Sequence, residues 1–174
     1  IALVFAGSCL LVSGAIGHPA AISPAIAIPS KASHLLAIAT WLGGLAWLII
    51  ADKDNDASFR RESHRVSTAA LWAVIAIAVT GALQSFLFLG GLSLSLWIST
   101  YGAFVAAKII GLLVLIGFGA YHRLRLLPAL DAGAPGGVLR RSVRREILLL
   151  TVVVFIGGVM AYVPTPQSAP VHIP

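Results

Sequence analysis

Residues 33–50 read SHLLAIATWLGGLAWLII, an apolar run with no formal charge and a histidine at its mouth. The run is long enough to cross a bilayer as a helix. His34 and Trp41 are seven residues apart, so on a helix they share a face. Gly43 and Gly44 have no side chains and let a neighbouring helix come close. The stretch reads as the second of five membrane helices, with the function near its His34 end.

The rest of the chain supports that setting. Of 174 residues, 59% are hydrophobic and only 10% charged, whereas a soluble domain carries about a quarter charged residues. Such a composition cannot cover a water-facing surface, and the lipid bilayer is the expected partner. In hydrocarbon the backbone must bond internally, which leaves helices or a closed barrel. The apolar runs are continuous and do not alternate, so the expected class is all-α, a single polytopic transmembrane helical bundle. The net charge of +6 does not indicate nucleic acid, because the basic residues sit in short segments between apolar runs. One cysteine, Cys9, excludes an internal disulfide and any CxxC motif. The chain is apolar from Ile1, with no basic leader, and reads as a segment of a longer protein.

Spans are expected near 1–17, 32–50, 66–89, 102–122 and 146–163. Pro19, Pro24 and Pro29 make the first connector stiff and non-helical. The segments 52–65 and 123–145 read as charged loops, the second with a Gly/Pro-rich tip. Ten of the twelve basic residues lie in these two loops, which fall on the same side of a five-span chain. The positive-inside rule makes that side cytoplasmic. Trp97 and Tyr101 suit an interfacial belt, while Trp41 and Trp47 read as packing residues.

Placed by depth, the polar residues concentrate in the outer half. His18 and His34 flank the first connector, and Gln84 lies near the outer end of the third span. Lys108 lies about 9 Å inside the fourth span at ~1.5 Å per residue, and Met160 is near the outer end of the fifth. His18 and His34 can be metal ligands, since neutral imidazole binds copper, zinc, iron or nickel; the alternative is a pair of interfacial histidines bonded to backbone or water. Lys108 either serves function or snorkels to the headgroups. Met160 and Cys9 are soft sulfur ligands suited to Cu(I), or plain core residues. Cys9 is too far from His18 along a helix for one coordination shell.

At the inner boundary His64 and His122 stand beside Arg65 and Arg123. They are either solvated boundary residues or, with His18 and His34, axial ligands of haem b in a membrane electron carrier. Nucleotide-binding, zinc-protease and serine-hydrolase signatures are absent. No acidic pair is placed for acid–base work, and the sequence makes no case for an enzyme.

A resemblance emerges from GHP at 17–19, SHLLAIATWLGGL at 33–45, RVSTAALWAVIAIAVTGA at 65–82, LWISTYGAFVAAKIIGLLVLIGFGAYHRLRLLP at 96–128 and RREILLLTVVVFIGGVMAYVPTP at 144–166. In this order these stretches resemble the CopD copper-resistance family. The resemblance implies a polytopic inner-membrane protein linked to copper uptake, with an outward copper site near His18 and His34. It also implies a periplasmic CopC-like copper-binding partner or fused domain, or a partner in cytochrome oxidase assembly. A structural assembly subunit is the remaining alternative. Family members are usually longer, and their Met-rich copper clusters are missing here, where Met160 is the one methionine.

Overall fold

The computed structural model describes residues 24–50, 56–89, 97–160 and 162–163. Among these every regular element is helical: α1 (Pro24–Ile50), α2 (Asp56–Leu89), α3 (Thr100–Tyr121), a π-helical turn (His122–Leu126), α4 (Leu127–Asp131) and α5 (Gly137–Met160). Three stretches are long and apolar enough to cross a membrane: Ala25–Ile50, Ala57–Phe86 and Thr100–Asp131. Helix α5 is a fourth long helix, but Arg140, Arg141, Arg144, Arg145 and Glu146 occupy its first turns. The expected span at 1–17 lies outside the described residues.

The long helices alternate in direction. Thr80 and Gln84, late in α2, meet His34 and Ser30 of α1. Gly111 of α3 meets Val153 of α5, and Ser142, early in α5, meets His122 just past the end of α3. Helices α1 and α2 make the most extensive pair, α3 pairs with α5, and α1 packs on α5. One end therefore gathers Arg60, Arg61, Arg65, Arg123, Arg125 and the four arginines of α5; His34, Gln84 and Lys108 lie toward the other.

The core runs through Trp41, Leu45, Leu48, Ile77, Leu115, Val143 and Leu150. The outer faces are apolar as well: Trp72, Val79, Phe86, Ile110, Leu113, Leu148 and Phe155 are all more than half exposed. A water-facing surface would not carry such a continuous coat, whereas lipid tails solvate it at no cost. Small residues then set the helix spacing. A Cβ on Gly111 would lie 2.5 Å from Val153 Cγ2, and one on Gly44 3.1 Å from Val66 Cγ1. Gly43 has open space beside it, so only the second glycine of the pair serves close packing.

Several boundaries differ from the sequence reading. Helix α1 begins at Pro24 rather than near residue 32 and contains Pro29. Pro24 opens the helix, where an N–H would be unpaired in any case, and Pro29 lies in the second turn, so little of the ladder is lost. The 52–65 segment is not a loop throughout: α2 starts at Asp56, and its charged turns carry the helix beyond the apolar run. The 123–145 segment is also mostly helical, leaving a tip at 132–136 where Gly133 takes a φ of 93°. Trp47 is 50% exposed and faces outward rather than packing. Tyr101 is buried against Val105, with Trp97, Met160 and Val163 around them.

Candidate functional site

Two polar clusters lie inside the apolar bundle, one toward each end. The first is organised around His34. Thr80 donates its hydroxyl to the Ala76 carbonyl one turn earlier, a common placement for a helical threonine. Its oxygen, 2.8 Å from His34 Nδ1, is then the acceptor, so Nδ1 carries the proton and Nε2 keeps its lone pair. This is the tautomer that a metal-binding imidazole needs at Nε2. Gly81 makes room for the ring: a Cβ there would stand 3.5 Å from Cε1. One turn further along, Gln84 reaches Ser30 through weak contacts of 3.4 Å to its Oγ and 3.5 Å to its carbonyl.

Lys108 points into the bundle rather than snorkelling. Its Nζ lies 3.5 Å from the position a Cβ on Gly157 would take, so the bare backbone of α5 accommodates the ammonium. Met160 sits in the small cluster with Tyr101 and Val105, and no described contact brings its sulfur to His34. His18 and Cys9 lie outside the described residues.

Of the second cluster the sequence reading named only His122, as an alternative haem ligand, and missed Glu146. Glu146 is 1% exposed and His122 is 7% exposed. Trp41 Nε1 donates to Glu146 Oε1 at 2.9 Å. The other oxygen, Oε2, lies 3.0 Å from His122 Nδ1 but has no aligned hydrogen-bond donor. His122 Nε2 is 2.7 Å from Ser142 Oγ. Local structure places the imidazole here: Pro128 cannot donate to the residue four before it, and the widened turn over His122–Leu126 absorbs the defect. A cavity of about 250 Å3 reaches from exposed Leu71 and Leu124 down to Trp41, His122 and Glu146. In sequence Glu146 stands among arginines and looks like a boundary residue; the one signal was an acid four residues after Ser142 on a helix whose partner ends in His122.

His64 does not join His122. Its Nε2 pairs with Asp131 of α4 at 3.0 Å in an exposed contact, while His122 is held by α5. The two expected inner haem ligands thus have separate partners. Among the described residues no group of three or more His, Cys, Asp or Glu side chains converges to hold a metal ion.

The comparisons bear on this architecture. The family described as Copper resistance protein D matches residues 60–160, more than half of the chain, covering Lys108, His122, Glu146 and Met160 and stopping short of His34 and Trp41. No curated protein and no solved structure matches the chain. Three membrane-length apolar stretches, lipid-suited outer faces and this match lead to one conclusion: the chain is a membrane protein belonging to the CopD copper-resistance family.

Proposed function

We propose that the protein handles copper as cargo, receiving it at the His34 end of the bundle and moving it inward or to a partner. The observation that carries this reading is the His34–Thr80 bond, which orients the imidazole and leaves the Nε2 lone pair available to a metal. His18 and Met160 are the proposed further ligands, with Gln84 and Cys9 as accessory groups. In this reading the arginine-rich end faces the cytoplasm of the inner membrane, and the His34 end meets a periplasmic CopC-like donor. Lys108 repels a bound cation and keeps residence short, as suits a transfer site rather than a store.

The test is copper accumulation in cells expressing the wild type, H18A or H34A at matched membrane levels. Loss of copper-dependent accumulation in either variant supports the reading, and unchanged accumulation in both sinks it. A haem carrier would instead show a Soret band with stoichiometric iron in the purified protein. A purely structural assembly subunit would bind neither metal.

A further inference from the structure

The buried cluster at the arginine-rich end has a feature that a simple structural ion pair does not require. Each of its two ligand-type side chains has its far atom engaged and its near atom turned toward the other. Glu146 spends Oε1 on the Trp41 indole N–H. His122 has Nε2 on Ser142 Oγ. The remaining atoms, Oε2 and Nδ1, face each other at 3.0 Å without an aligned hydrogen bond between them. Outer-atom bonding of this kind orients a histidine and a carboxylate for a metal.

We propose that Glu146 Oε2 and His122 Nδ1 form a bidentate binding site for a Cu(II)-type cation at the floor of the cavity. The separation of the two atoms favours that cation class. Metal bonds of about 2.0–2.1 Å from nitrogen and oxygen, closing on a 3.0 Å edge, meet at roughly 95°. That is close to the right angle of tetragonal N,O-ligated Cu(II), whereas a tetrahedral ion would need an edge of ~3.4 Å. Among the described residues no thiolate or thioether stands at the cluster, which also selects against Cu(I).

Two protein ligands leave the remaining positions to water or to exchanging donors, for which the cavity of about 250 Å3 has room. A bound cation would sit between the imidazole nitrogen and the carboxylate oxygen and compensate the carboxylate charge. Arg123 also lines the cavity and contacts Ser67 Oγ at 3.4 Å; its charge opposes tight retention. The site is distinct from His34, and it rests on the copper reading only for the identity of the cation.

The test titrates Cu(II) into the detergent-purified protein and its H34A, E146Q, H122N and S142A variants, read by equilibrium dialysis and electron paramagnetic resonance. The wild type and H34A are expected to show a tetragonal signal with nitrogen coupling from one imidazole. Combined with H34A, so that copper at the His34 end cannot contribute, E146Q and H122N, folded by circular dichroism, should lose it. S142A keeps both ligands, frees Nε2, and should weaken binding about tenfold or more, a readout that stands even if E146Q fails to fold. Retention of the signal in folded H34A/H122N, an unchanged affinity when S142A is added to H34A, or no such signal in the wild type overturns the proposal. Loss in H34A alone overturns it too, while leaving the copper reading of the His34 end intact.

Discussion

Trp41 and Glu146, 105 residues apart, are joined inside the bundle by a 2.9 Å hydrogen bond from the indole N–H to a carboxylate oxygen. Both side chains are about 1% exposed. The bond ties α1 to α5 and leaves the second carboxylate oxygen to His122. Oε1 has its donor, while Oε2 only faces His122 Nδ1 at 3.0 Å without an aligned hydrogen bond, and burial makes that second oxygen the costly one.

Trp41→Phe keeps most of the volume and removes the donor. It should destabilise the protein by about 1–3 kcal/mol, the cost of leaving a buried acceptor unmet. Unfolding in mixed detergent micelles measures this. Trp47→Phe is the control: Trp47 is half exposed, and the change should lie within ~0.5 kcal/mol of wild type. Equal effects of the two substitutions would remove the Trp41–Glu146 bond from the account of stability.

Gly111→Ala places a methyl 2.5 Å from Val153 Cγ2. Overpacking at a helix crossing costs about 1–3 kcal/mol. Val153→Ala in the same chain should restore much of that loss, giving a coupling energy of ~0.5 kcal/mol or more in a double-mutant cycle. Additive effects would mean that α3 and α5 do not meet at this pair.

Thr80→Val removes the oxygen that accepts from His34 Nδ1 while keeping the side-chain shape. The imidazole then loses its fixed tautomer, and copper affinity at the His34 end should fall by about tenfold or more. Thr80→Ser, which keeps the hydroxyl, should retain affinity. Equal affinity of the two variants in a copper titration would exclude a positioning role for Thr80.

Lys108→Gln removes a positive charge that the bundle holds beside Gly157. If that charge shortens copper residence, the variant should bind copper about threefold to tenfold more tightly, the scale of one screened repulsion of ~1 kcal/mol. Stopped-flow release should slow in proportion. Weaker binding in the variant would instead make Lys108 a support of the site.

His64 and Asp131 provide a contrast in magnitude. Their 3.0 Å pair is about half exposed on both sides, so Asp131→Asn should cost no more than about 1 kcal/mol. Thermal unfolding compares it with His122→Asn, which takes the facing imidazole from buried Glu146 and should cost more.

The sequence by itself determined the class and the polarity of the molecule. Continuous apolar runs must close their backbone bonds internally, so helices were unavoidable. The arginines at the start of α2, after α3 and at the start of α5 had to fall at one end once the spans alternated. The motifs around Gly102, Lys108 and Glu146 also carried the family resemblance. Tertiary structure alone decided which atoms meet. Helix length depends on capping and neighbours as much as on hydropathy, which is why charged residues 56–65 extend α2 and Pro29 lies within α1. Whether Lys108 enters the bundle depended on a bare glycine on another helix, Gly157, which no pattern along α3 contains. Glu146 reads as one more boundary charge in sequence; it becomes a buried ligand-type group only when α1 brings Trp41 and the π-helical turn brings His122 to it. Periodicity and charge are properties of one segment, but a site made by three segments exists only after they pack.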